Sequence, residues 1–163
     1  MVQYSHRLGE LSGAQFQAAL DRFDLGQFIR AEPISAGNFG QNVYLTSATG
    51  EYVLRGAPFW PYQFPRERFF TDLLHARTRA PVPWPYLLDP EDDIFGWSYV
   101  IMPRMRGLQL SDPHVRAALT PTDRRGIACA MGETLAELHR LAWPYAGRYD
   151  LATGTIRPFD TPY

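Results

Sequence analysis

The chain has 163 residues, enough for one domain or for a small domain joined to part of another. A hydrophobic fraction of 45% beside 20% charged residues suits a folded chain and excludes a disordered one. The net charge is -1 and all 16 basic residues are arginine, with no Lys/Arg block of the kind that tracks a nucleic-acid backbone.

Ser12-Gly13-Ala14-Gln15 precedes Phe16, Ala19, Leu20 and Phe23, which recur at helical spacing, so an amphipathic helix capped by Ser12 is expected. Strands are expected over about 28–35, 41–47 and 52–55, the last two separated by the Ala48-Thr49-Gly50-Glu51 turn. Connections this short admit only an antiparallel meander. The segment Pro58 to Pro65 is rich in proline and aromatic residues and is expected to be irregular. Its Trp60, Tyr62 and Phe64 are expected to pack on the first helix. A second helix is expected from Arg66 to about Arg79, with Phe69, Phe70, Leu73 and Leu74 on its apolar side. Pro81, Pro83 and Pro85 end it. Two further strands, 86–88 and 97–102, flank the acidic turn Asp89 to Asp93.

Beyond Gly107 a linker runs to Thr120, with a helical turn at Asp112-Pro113. A long helix then starts at Pro121, carrying Ile127, Met131, Leu135, Leu138 and Leu141 as one apolar stripe. Residues after Pro144 read as loop. This organisation divides the chain into an N-terminal helical extension (1–27), a five-stranded α+β unit (28–106) and a linker, long helix and irregular tail (107–163). The stripe over 127–141 has no partner in sequence, so a second copy or a further C-terminal half is expected to cover it.

Cys129, the single cysteine, forms no internal disulfide and is expected to pack inside the long helix. The first residues lack the basic start and apolar run of a secretory signal, and no apolar run reaches the roughly 18 residues of a membrane span. A cytoplasmic protein with neither nucleic-acid nor membrane partner is expected. His139 reads as structural.

The segment Ser35-Ala36-Gly37-Asn38-Phe39-Gly40-Gln41-Asn42-Val43 places two glycines in a strand–turn–strand setting. Without Cβ atoms they let backbone N–H groups approach phosphate oxygens. Phe39 would shield the site and Val43 would cover one face of a base. The motif is not a Walker A loop, since no Lys-Ser/Thr opens a helix after it. It is not a dinucleotide fingerprint either, since a strand follows. Arg55 lies among apolar neighbours in Tyr52-Val53-Leu54-Arg55 and needs a partner, and Glu67 in the next helix is the candidate.

This order of Gly loop, strand cation, helix glutamate, two strands and hinge is similar to the N-lobe of the protein-kinase-like fold. It most resembles the aminoglycoside phosphotransferase and choline kinase-like family. Tyr52 to Arg55, Pro81 to Pro85, Tyr99 to Gly107 and Leu135 to Leu141 carry the resemblance, which spans about 29–141. It implies a five-stranded antiparallel sheet with one main helix, and a nucleotide, ATP or GTP, as ligand. Ser35, Gly37, Asn38, Phe39 and Gly40 would cover the phosphates. Arg55 would replace the usual lysine, as it does in some members, and Glu67 would orient it. Met102 would back the base pocket, and the Pro103 carbonyl and Met105 N–H would meet the base edge.

The family's His-Gly-Asp loop is not found here: none of His6, His75, His114 or His139 precedes Gly-Asp. No catalytic residue or metal ligand is therefore assigned, and magnesium ligands are expected in a C-lobe outside this sequence. The resemblance implies the nucleotide-binding portion of a phosphotransferase acting on a hydroxyl of a small molecule. A non-catalytic nucleotide-binding or scaffolding module of the same fold is the alternative. An unrelated α+β domain, with Arg55 pointing to solvent, is the third reading.

Overall fold

The computed structural model describes residues 2–34 and 39–160. Its centre is an antiparallel five-stranded sheet in which β3 (Phe28–Pro33), β4 (Asn42–Ser47), β5 (Gly50–Gly56), β6 (Leu87–Asp89) and β7 (Tyr99–Pro103) take the order β3-β4-β5-β7-β6. This is the α+β arrangement of a kinase-like N-lobe followed by the start of a C-lobe.

The period of two along each strand gives the sheet two different faces. Val43 pairs with Leu54 and Leu45 with Tyr52, and Leu54 pairs with Ile101 on the next strand. These residues form one core with Phe16, Ala19 and Leu20 of helix α1 (Gly13–Asp21). Ser12 caps α1 through a reciprocal pair: its hydroxyl accepts the Gln15 N–H while the Gln15 side chain accepts the Ser12 N–H. On the opposite face lie Asn42, Tyr44, Val53, Arg55, Val100 and Met102, and there helix α2 (Gln63–Arg77) packs. Phe64 joins Tyr86 and Val100 in a second cluster.

Several elements differ from the sequence expectations. A two-stranded hairpin, β1 (Val2–Ser5) with β2 (Gly9–Leu11), precedes α1. Helix α2 begins at Gln63, so Pro65 lies in its first turn, where the N–H it lacks has no intrahelical acceptor. The aromatic segment does not cover α1: Phe64 turns inward, whereas Trp60 and Tyr62 stack on each other and stay exposed. The expected loop after Pro144 contains a hairpin of β8 (Gly147–Asp150) and β9 (Thr155–Pro158), tied by an Arg157–Asp150 ion pair at 2.7 Å.

Helix α3 (Pro113–Ala118) follows an Asp112 cap, and α4 (Pro121–His139) has its own capping box of Thr120 and Asp123. No residue of α4 is buried. Met131 and Leu135 are 65% and 52% exposed, and Cys129 is exposed rather than packed. Among the described residues no helix is long and apolar enough to cross a membrane.

Candidate functional site

Arg55 stands near the end of β5, opposite Asn42 on β4 and Val100 on β7. The alternation that buries Leu54 against α1 turns Arg55 to the α2 face. Its Nη1 lies 3.1 Å from Glu67 Oε2, and its Nη2 donates to Gln41 Oε1 at 3.4 Å. The Arg55 Nε is buried and has no partner among the described residues.

Two glutamines extend this pair into a network. Gln41 is only 2% exposed and Gln63 only 5%. Gln41 Nε2 donates to the carbonyls of Gly56 (3.2 Å) and Ala57 (2.8 Å), while its Oε1 also accepts from Gln63 Nε2 at 3.2 Å. Gln63 Oε1 accepts the Phe59 N–H at 2.8 Å and so fixes the entry to α2. The Tyr86 hydroxyl donates to Glu67 Oε2. Burial first, and then that hydrogen bond to a carboxylate, push the Tyr86 phenol far above its ordinary range, so it remains a neutral donor.

Above the network is a cavity of about 250 Å³ lined by Phe39, Arg55, Phe59, Trp60, Arg66 and Glu67, among others. Arg66 makes no ion pair among the described residues; its guanidinium lies 5.2 Å from the Tyr62 ring centroid. The cavity therefore presents two arginines and one carboxylate already engaged by one of them. A larger cleft of about 520 Å³ separates the start of α2 from the β8–β9 hairpin. Arg157 holds the Asp150 carboxyl below its ordinary value and Arg148 reaches Asp160 at 4.0 Å, while Arg66 lines this cleft as well, leaving it one arginine in excess of its carboxylates.

Phe39, Arg55 and Glu67 meet at this cavity. Ser35, Gly37 and Asn38 lie outside the described residues. Gly40 adopts φ +59, a conformation that strains any L side chain, and a Cβ there would make a tight 3.3 Å contact with the Ser5 side chain. Val43 corrects an expectation. It is fully buried against α1, one residue out of phase with Arg55, and cannot cover a ligand on the Arg55 face. The apolar side chains on that face include Val53, its partner Met102 and Val100, of which Val100 belongs to the Phe64 cluster and Met102 packs against it.

Pro103 ends β7 opposite Tyr52, and Met105 is exposed just beyond it. Between them Arg104 covers the Tyr44 ring at 3.9 Å, donates its backbone N–H to the Glu51 carbonyl at 3.0 Å and pairs with the Glu51 carboxylate at 3.7 Å. Gln41, Gln63, Tyr86 and Phe59 were not among the site residues expected from the sequence. Their only signal was polar or aromatic residues beside the glycine turn and at the entry to α2. Among the described residues no three His, Cys, Asp or Glu side chains come together to hold a metal.

A five-stranded antiparallel sheet, a helix carrying a glutamate against a strand cation, and a segment leaving the last strand define a kinase-like N-lobe. Residues 30–155 match the model of the phosphotransferase enzyme family, and the chain belongs to that family. Among solved structures it is similar to a protein from Ralstonia eutropha JMP134, itself assigned by inference as an aminoglycoside phosphotransferase. The two share 22% identity with a TM-score of 0.61, over 81% of this chain and 39% of that one, a likeness of fold. The chain thus spans well under half of that relative. No curated protein matches.

Proposed function

We propose that this chain supplies the nucleotide clamp of an ATP- or GTP-dependent phosphotransferase that acts on a hydroxyl of a small molecule. The observation that carries this reading is the Arg55–Glu67 ion pair on the floor of the cavity beside Phe39 and Gly40. An unrelated domain with Arg55 in solvent would have no reason to build it. Family membership supports the same reading.

The phosphate end of a nucleotide fits the donor set. Arg55 retains a buried Nε–H without an acceptor, and such groups are rarely left unmatched. Arg66 adds a second cation at the mouth. Glu67, Gln41, Gln63 and Tyr86 hold the guanidinium in place before a ligand arrives, which lowers the ordering cost of binding. Val53 and Met102 offer apolar surface to the base, and the Pro103 carbonyl with the Met105 N–H offers its edge an acceptor and a donor. The described residues do not form a magnesium site, and no step through a metal is derived. The clamp positions and neutralises; it provides no group to accept the hydroxyl proton.

Calorimetry of this chain with ATP, ADP and GTP in magnesium, beside the Arg55→Ala variant, tests the reading. Binding weakened about tenfold or more in the variant is expected for loss of a charge-assisted contact. No binding by the folded parent chain, or equal binding by the variant, would overturn it.

A further inference from the structure

The β1–β2 hairpin lies on the α1 side of the sheet, yet its turn reaches round to the cavity. Buried Leu8 anchors that turn. Ser5 Oγ donates to the Gly40 carbonyl at 2.6 Å and accepts the Leu8 N–H at 3.0 Å. Arg7 Nε donates to the Ala57 carbonyl at 2.6 Å and its Nη2 to the Pro58 carbonyl at 3.1 Å. The same guanidinium lies over the Phe59 ring, its Cζ 3.7 Å from the centroid. Phe59 in turn meets Phe39 edge to face at 5.5 Å. One side chain thus touches both the connection into α2 and, through one ring, the tip of the glycine turn.

The backbone at the centre of these contacts is strained. Ala57 has φ +50, a left-handed conformation unfavourable for a non-glycine residue. Such a residue persists where its surroundings over-determine it. Here the Ala57 carbonyl accepts from two directions, from Arg7 of the N-terminal hairpin and from Gln41 beneath the cavity. A lysine at position 7 could reach one carbonyl but has neither a second parallel donor nor a flat face for the ring.

We infer that Arg7 is a positioning residue for the nucleotide cavity: it locks the β5–α2 connection in its strained form and, through Phe59, holds Phe39 over the phosphate end. This inference rests on the nucleotide-clamp reading. The N-terminal hairpin then acts as a strap, and losing its grip loosens the cavity without opening the core.

Two measurements on this chain, made on Arg7→Ala, Arg7→Lys and Phe59→Leu, test it. The first is amide hydrogen exchange without nucleotide. In Arg7→Ala, exchange over 39–41 and 57–63 is expected to rise about tenfold, with the β4 and β5 core amides unchanged. The second is ATP affinity, expected to fall about five- to tenfold in Arg7→Ala and by an intermediate amount in Arg7→Lys. Phe59→Leu, which leaves both carbonyl bonds in place, is expected to speed exchange at 39–41 only, and it serves should Arg7→Ala fail to fold. Unchanged exchange in these segments would overturn the strap. So would faster exchange with undiminished ATP affinity, or uniform acceleration through the core. A parent chain that binds no ATP would instead sink the clamp reading, with the exchange result still showing whether Arg7 holds the connection.

Discussion

Replacing Gln41 by leucine keeps roughly the same volume but deletes four hydrogen bonds from a site that is 2% exposed. The losses are unequal. The Gly56 carbonyl loses its side-chain donor, whereas the Ala57 carbonyl keeps Arg7. Arg55 and Gln63 both keep Glu67, through Nη1 and Nε2 respectively. The Gly56 carbonyl and the Arg55 Nη2, whose acceptor is Gln41, are therefore the two groups left without replacement, and at about 1–1.5 kcal/mol each the variant should be less stable by about 2–3 kcal/mol. Urea unfolding followed by tryptophan fluorescence measures this. Repeating the substitution in an Arg55→Lys background isolates the bond to Nη2, since an ammonium has no second nitrogen to offer Gln41. There the penalty should shrink by about 1 kcal/mol. A penalty below about 0.5 kcal/mol in the parent chain, or an identical one in both backgrounds, would refute the view that Gln41 holds the guanidinium.

Gly56→Ala would place a methyl group 2.0 Å from the Trp97 ring, which lies directly on the glycine. A loss of about 2–3 kcal/mol, read as a lower thermal midpoint with altered tryptophan emission, is expected; an unchanged midpoint would show that Trp97 moves aside freely. At the start of α4 the Thr120 hydroxyl, and then its backbone N–H, hold the Asp123 carboxyl below its ordinary value. A depressed folded pKa contributes stability at pH above the unfolded value, and that contribution is lost as pH falls through the folded one. Helicity lost below about pH 4 should therefore include a step absent from Asp123→Ala. A carboxyl NMR titration of Asp123 at the ordinary aspartate value would contradict this.

Where local pattern decides structure, the sequence was sufficient. The strands expected over about 41–47 and 52–55, the Ser12 cap and the Pro121 start each depend on neighbours in the chain, and each element is present, the second strand longer than expected at 50–56. Arg55 and Glu67 were also visible, because a charge amid apolar strand residues demands a partner and the next helix offered one. The assignment of Val43 failed for a related reason. On a strand an offset of one residue exchanges the faces, and nothing local shows which face α1 will cover. The β1–β2 strands are only four and three residues long, and they are stabilised by bonds to Gly40 and Ala57, more than thirty positions away. In the β8–β9 segment Gly147 and Pro158 read as loop residues, although they form the first rung of the hairpin. Nothing in the neighbouring residues marks Gln41 or Gln63 as buried. Their burial is tolerable because the Gly56 and Ala57 carbonyls, the Phe59 N–H and the bond between the two side chains satisfy them, which is a property of the folded arrangement.

The register of the ladder explains why the Arg7 contacts and the Arg55 network converge. Asn42 opposite Arg55 is the last regular rung between β4 and β5. One step further the Gly56 N–H donates to the Gln41 carbonyl at 2.9 Å. At that step the chain has just left the glycine turn on one side and is about to enter the connection to α2 on the other. Gln41 turns inward beneath the cavity, while Gly40 and Ala57, one residue beyond, present carbonyls to Ser5 and Arg7. A perturbation from the α1 side of the sheet thus reaches the ligand side by passing round the strand ends, with no need to cross the packed layer of Leu54 and Val43. Core substitutions such as Leu54→Ala should accordingly lower global stability by about 3–4 kcal/mol while leaving exchange over 57–63 governed by Arg7. If Leu54→Ala loosened that connection as much as Arg7→Ala does, coupling through the core would have to replace coupling round its edge.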